Sequence, residues 1–160
     1  MYVTAGATAA GVVANGLLAG VFFAFSCAII PGSRHLDDRS SVRAFRAINR
    51  AILNGWFLSA FLAAPLTAVA STVLALGRED ASTLGWLAAG AACSTLSFGI
   101  TAAVNVPLNR ALDRASADTA QQLHDTRKGF EAPWNRWNHV RAVLSTAAFM
   151  ALVIASASQS

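Results

Sequence analysis

Three short stretches place polar side chains where a chain this apolar has few. TAAVNVPLNRAL ends a long apolar run with Thr101, Asn105 and Asn109 at i, i+4 and i+8, interrupted by Pro107. RAINRAILN sets Arg46, Arg50 and Asn54 at the same spacing, with Asn49 beside Arg46 at i+3. A helix carries such positions on one face. WNRWNHVR spaces Trp134, Trp137, Asn138 and Arg141 at i, i+3, i+4 and i+7. An amide needs partners for two N–H donors and a carbonyl, and a guanidinium offers a fixed fork of donors. Buried near helix ends, these groups either bond one another between helices or line the polar tip of an apolar cavity that holds a small molecule. Pro107 favours the cavity. It leaves the carbonyl of Ala103 without its usual helical partner, and irregular backbone at membrane depth is tolerated where it faces protein or a wet cavity.

Each group also has an ordinary explanation. Arg46, Arg50 and Arg141 suit cytoplasmic anchors, and Trp134 and Trp137 suit an interfacial belt. Asn49, Asn54, Asn105, Asn109 and Asn138 fit neither role, because an amide has no charge bias and no amphipathic ring. For them the alternative to a ligand is mutual bonding between helices.

The elements that must position these stretches follow from the charge pattern. Of 160 residues, 55% are hydrophobic and 12% charged, with a mean hydropathy of +0.49. That is about half the charge of an ordinary soluble protein, which carries ~25%. No Asp, Glu, Lys or Arg precedes Arg34, falls between Arg50 and Arg78 or between Asp80 and Arg110, or follows Arg141. Each gap can hold a membrane span of ~20 residues. The chain therefore reads as an all-α, four-helix transmembrane bundle of up-down topology, with residues 1–160 forming a single four-span domain.

Span one is expected from Ala5 to Pro31. Helix two is expected to start at Ser40 or Ser41, enter the bilayer near Ala51 and reach Leu76, kinked at Pro65. Helix three should cover Ser82 to about Val104. A short cytoplasmic helix is expected in ADTAQQLHDTRK, which sets Ala120, Leu123, His124 and Arg127 on one face, and helix four should begin at Pro133 and run to about Ser156. GLLAG, Gly16 to Gly20, has small-xxx-small spacing for close helix approach, and Asn15 deep in span one is expected to bond between helices.

The net charge of +4 and pI near 10 do not indicate nucleic acid, because the basic residues flank the spans. They follow the positive-inside rule, which puts the connections 32–50 and 110–141 in the cytoplasm and both termini outside the inner membrane. The N-terminus lacks the positive region of a signal peptide. Cys27 and Cys93 fall within spans and read as buried thiols rather than a disulfide framework. A transporter is disfavoured, since the chain has no internal repeat and no charge inside a span.

LAGVFFAFS, AINRAILN, NVPLNRAL and WNRWNHVR, in that order from about Leu17 to Arg141, resemble the anthrone oxygenase family. The resemblance implies a small four-helix membrane protein that oxidises an anthrone to an anthraquinone with dioxygen and no required cofactor. Its matching positions are Asn49, Asn54, Asn105, Asn109, Trp134, Trp137, Asn138, His139 and Arg141. With it, His139, Asn109, Asn105, Asn138 and Arg141 become the candidate catalytic set, and Arg46, Asn49, Asn54, Thr101, Trp134 and Trp137 the candidate substrate-binding set. The expected partners are a small aromatic substrate, dioxygen and the lipid bilayer, with self-association left open.

Such a reaction needs a dry flat pocket, a base, and donors aimed at a developing oxyanion. His139 is the candidate base, since its ordinary pKa suits proton abstraction near neutrality. The alternative is a histidine at headgroup level bonded to Asn135 or water. No carboxylate lies within a span, so only Asp113 or Glu131 folding back could replace it. Two other readings stay open: a metal held by His35, His124 and His139, and a non-catalytic binding or helper module whose amides only lock helices together. A sealed polar cluster would support the helper, and an apolar void bounded by the cluster would support the enzyme.

Overall fold

In the computed structural model, which describes residues 2–159, helices account for nearly every residue. In chain order they are α1 (Tyr2–Ala24), a π segment (Phe25–Ile29) and α2 (Ile30–Ser33), then α3 (Asp38–Ile52) and α4 (Gly55–Ala75). After them come α5 (Ala81–Ile100), a second π segment (Thr101–Asn105), α6 (Val106–Arg114) and α7 (Ala120–Ser158). Four of the resulting rods are long and apolar enough to cross a membrane: Val3–Ser33, Gly55–Ala75, Ala81–Arg114 and Ala120–Ser158. Each packs on its chain neighbours, and α7 closes the ring by lying along α1. Their outward faces carry bare Val13, Leu17, Leu66, Val73, Leu96 and Val143. An exterior as apolar as the interior is the composition a bilayer selects.

Several boundaries differ from the sequence expectation, each for a local reason. The cap of α3 is Asp37, whose carboxylate accepts from the Ser40 N–H at 3.0 Å and the Ser40 hydroxyl at 2.7 Å. Ser40 and Ser41 instead lie inside the helix. Helix two is not continuous: it breaks at Leu53 and Asn54. There Asn54 donates to the Ala51 carbonyl at 2.9 Å and accepts from the Phe57 N–H at 3.1 Å, so one side chain closes α3 and caps α4. Such a cap is worth ~1 kcal/mol. Pro65, by contrast, sits inside α4 without ending it.

Helix three continues beyond Val104 to Arg114, and helix one passes Pro31 to Ser33. Both prolines are absorbed in the same way. In each rod a π segment ends just before the proline's helix, with Ile30 N–H donating to the Phe25 carbonyl and Val106 N–H to the Thr101 carbonyl. The wider turn lets a residue without an N–H follow while the chain stays helical.

The separate short helix expected between spans three and four is the first part of α7. Thr119 and Gln122 form a reciprocal capping box, and Pro133 lies within the helix rather than starting it.

Two small-residue expectations resolve differently. Gly16 lies against Phe149, so a Cβ there would meet the ring at 3.1 Å, while Gly20 faces open space. Asn15 bonds between helices, donating to the Ala64 carbonyl on α4 at 3.4 Å and to Gly11 in its own helix at 2.9 Å. Cys27 is an exposed thiol, not a buried one, and Cys93 is half-buried; neither forms a disulfide.

Candidate functional site

The three polar stretches converge on the end of the bundle where α3 and α6 lie against α7. Arg141, on α7, is 4% exposed and forms no ion pair among the described residues. Its guanidinium donates to Thr101 Oγ1 at 3.3 Å and to Asn138 Oδ1 at 2.9 Å. It also lies over the Phe22 ring, 4.3 Å from the centroid, and 5.4 Å from that of Trp134. Aromatic faces attract a desolvated cation. They do not replace a counter-ion, and removing a charge from water costs several kcal/mol. Its Nε is buried with no partner.

Asn138 is fully buried and holds that arrangement in place. Its amide donates to the Phe22 carbonyl at 3.0 Å and to Ser26 Oγ at 2.9 Å, which leaves its oxygen for Arg141. Ser26 in turn shares a 2.8 Å hydrogen bond with His139 Nδ1. Trp134 Nε1 donates to Asn109 Oδ1 at 2.8 Å, and Asn105 donates weakly to the Trp134 carbonyl at 3.4 Å. Asn105 Oδ1 and Asn49 Nδ2 are buried without partners.

These groups bound one cavity. Phe22, Phe25, Phe57 and Trp134 supply flat apolar walls; Thr101, Asn105, Asn109, Asn49 and Arg141 supply the polar lining; and Ile52, Leu53 and Val106 complete it. Its free volume is about 60 Å³, enough for a few water-sized guests but not for a fused aromatic ring system. The second π segment helps to build it. With more residues per turn than an α-helix, it keeps Thr101 and Asn105 on the same lining face, and Asn109 follows on α6. Functional sites often sit at such π turns.

Of the sequence candidates, Asn49, Thr101, Asn105, Asn109, Trp134 and Arg141 line this cavity, and Asn138 stands directly behind it. Others do not reach it. Arg46 donates to the carbonyls of Leu112 and Ala115 at 2.7–3.0 Å, capping the free C-terminal end of α6. Asn54 has left the Arg46–Arg50 face because the helix breaks before it, and it serves as a cap. Trp137 is half-buried on α7 and is not part of the lining. His139 is exposed and touches the cluster only through Ser26. Its partner is neither Asn135 nor a cavity group.

The carboxylate and metal alternatives meet similar geometry. Glu131 is held by Arg127 at 2.8 Å, and Asp113 is exposed. His124 bonds Asp38 at 3.1 Å, apart from His139 and its Ser26 partner, and no group of three or more His, Cys, Asp or Glu placed to hold a metal occurs among the described residues. The three-histidine metal centre is therefore not assembled.

The sequence reading found Trp134 but missed the phenylalanine walls and Ser26. Their signal was present, since Phe22, Phe25 and Ser26 fall at i, i+3 and i+4. In a chain so rich in apolar residues, that spacing does not distinguish a pocket wall from a packed core.

The family model described as anthrone oxygenase matches residues 54–151. That covers more than half of the chain, including α4, α5, the second π segment, α6 and most of α7. The chain belongs to the anthrone oxygenase family. No curated protein and no solved structure matches it.

Proposed function

For a member of this family, we propose that the cavity receives the oxyanion end of an anthrone-class aromatic and that the protein promotes its oxidation by dioxygen to the quinone within the membrane. One observation carries this reading: a buried guanidinium without a counter-ion, its Nε unpaired, shares a cavity with one unpaired amide donor and one unpaired amide acceptor. Arg141 Nε and Asn49 Nδ2 call for an acceptor or an anion, and Asn105 Oδ1 calls for a donor. Leaving such groups unpaired costs about 1–3 kcal/mol each, more for the charged one. A hydroxylated aromatic oxyanion supplies both kinds of partner, and the Phe22 and Trp134 rings suit its flat body.

The chemistry balances without a further reagent. The methylene carbon opposite the ketone loses a proton to water, which returns it to the hydroxide released at the end, and the negative charge moves to the ketone oxygen, where Arg141 and Asn49 stabilise it. The electron-rich anion passes one electron to dioxygen. The resulting radical pair combines at that carbon, forming a C–O bond. Cleavage of the O–O bond with loss of the second methylene hydrogen gives the quinone and hydroxide, which the returned proton converts to one water. Preorganised donors at a developing oxyanion are often the largest contribution to such a rate. In this reading Arg141 and Asn49 act on the oxyanion, Asn105 holds a substrate hydroxyl, and Asn109 positions the Trp134 ring. Asn138, Ser26 and His139 orient Arg141 without touching substrate.

The cationic connections lead us to place this end of the bundle at the cytoplasmic face of the inner membrane, with both termini outside. A reporter fused after α7 should score as external, and a cytoplasmic score would reverse the orientation. The reaction is tested by mixing purified protein anaerobically with an anthrone, admitting oxygen and following quinone absorbance against a protein-free control. Acceleration over the control is expected. A rate equal to the control would remove the oxygenase reading and leave a membrane binding module.

A further inference from the structure

The oxyanion cavity is too small for the substrate class proposed above, yet it does not stand alone. Ile52 and Phe57 form part of its wall and also line a groove of about 310 Å³ with Leu17, Leu18, Val21, Asn54, Trp56 and Ala60. Leu17, Trp56 and Ala60 in turn belong to a third recess of about 490 Å³, which follows α1 and α4 towards Ala9 and Ala63. The three spaces form a series from the outer face of the bundle to Arg141. Volume falls and polarity rises along it: the outer recess is lined by alanines, Val13, Leu17 and Trp56, with Ser59 its one polar side chain, while the unpaired amides and the guanidinium stand at the inner end.

We propose that an apolar aromatic phenol reaches the site sideways from the hydrocarbon of the bilayer, along the α1–α4 groove, and that Phe57 is the gate through which it passes. This rests on the oxyanion-binding reading of the inner cavity. The groove lies on spans whose outward faces are bare and apolar, so its mouth opens to lipid rather than to water. A hydroxylated aromatic partitions into that phase by its ring area. Its hydroxyl finds no strong partner until it meets Asn49 and Arg141, so the polarity gradient orients it head first.

Phe57 suits a gate by its position. It lies three residues beyond the helix break at Leu53 and Asn54, in the first turn of α4, where its N–H is held by the Asn54 side chain rather than by a helical carbonyl. Its ring is half-buried and stacks on Phe61 at 5.8 Å, which stacks on Phe98 at 4.7 Å. A turn of the side chain about its first torsion would join groove and cavity without moving a helix.

The test places protein in phosphatidylcholine vesicles with a diazirine-bearing naphthol as photoprobe and maps the labelled residues. In the natural sequence, label is expected on Leu17, Ala60 and Phe57 along the groove and on Thr101 inside. Ala60→Trp fills the groove without touching the oxyanion cavity. It should reduce labelling at Thr101 about tenfold, the effect of ~1.4 kcal/mol, while a sulfonated naphthol that stays in water labels Thr101 poorly in both proteins. Should Ala60→Trp fail to fold, Leu17→Trp obstructs the same groove from the facing helix. Unchanged Thr101 labelling in the filled variants, or efficient labelling by the sulfonated probe, would overturn lateral access. The reaction is judged apart from this: inner labelling without anthrone oxidation keeps the route and removes the oxygenase reading. Oxidation with undiminished labelling in Ala60→Trp does the reverse.

Discussion

The two ends of this bundle treat the same problem, polar groups among apolar helices, in opposite ways. At the end near the α4–α5 turn, helices meet through Ala68, Ala75, Ala91 and Ala155 around Leu87 and Leu152. The Cβ that Gly90 lacks would come within 2.9 Å of Leu152. Hydroxyls there mostly return to their own helix: Thr8 donates to the Thr4 carbonyl, Ser71 and Thr72 to that of Ala68. Buried atoms without a partner occur away from the aromatic end too, namely Ser94 Oγ, Asn15 Oδ1 and both polar side-chain atoms of Gln159. At the site end the core is aromatic, built from Phe25, Phe45, Phe130 and Trp134 with ring centroids 5.3–5.8 Å apart. There three residues that line one cavity each leave a buried atom unpaired: Arg141 Nε, Asn49 Nδ2 and Asn105 Oδ1. Unpaired buried groups weaken a fold. What sets this end apart is that three of them line one cavity, where both π segments and the helix break also lie.

The sharpest way to break that contrast is Arg141→Met. Anthrone turnover is expected to fall ~10²–10³-fold, the scale of a lost oxyanion donor. Thermal stability should change little, since the cost of burying the charge is removed while Asn138 Oδ1 loses a partner. A large loss of stability instead would make Arg141 a packing device like those of the far end. The far end answers to the opposite substitution. Gly90→Val should destabilise by ~1–3 kcal/mol through overpacking against Leu152, with kcat and KM of the folded protein unchanged.

Asn109→Leu is a smaller test and separates positioning from oxyanion donation. Losing the acceptor for Trp134 Nε1 should cost ~1 kcal/mol of stability and lower turnover about tenfold. A loss comparable to that of Arg141→Met would place Asn109 on the oxyanion itself.

The smallest effect belongs to the latch outside the spans. Arg127 donates to Asp38 at 3.0 Å and His124 bonds its other oxygen at 3.1 Å, so these partners, Arg127 first, hold the Asp38 carboxyl below its ordinary value of 3.8. A depressed carboxylate pKa stabilises the fold above the unfolded value, and that contribution is lost as pH falls through the folded value. Asp38→Asn should therefore melt slightly below the natural protein at neutral pH, and the difference should close below pH ~4. A difference independent of pH would assign the effect to something other than ionisation.

Much of this was legible in the residues alone. Four charge-free gaps determined four apolar rods, because the cost of carrying charge through hydrocarbon acts on composition, whatever the neighbours. The spacing of Thr101, Asn105 and Asn109, and of Trp134, Asn138 and Arg141, placed those groups on helix faces that do meet. Some local signals were there to be used, such as Asn54–Gly55 as a turn and Thr119 with Gln122 as a capping box. Proline was less informative, since both Pro31 and Pro107 lie in helices that a π turn allows to continue. Which polar groups bond one another and which stay unpaired was decided by the tertiary structure. Arg46 and Arg141 have the same side chain and similar sequence surroundings. One caps α6 and the other faces a cavity, because a guanidinium takes whatever acceptors the neighbouring helices bring within about 3 Å, and helix packing alone sets which those are.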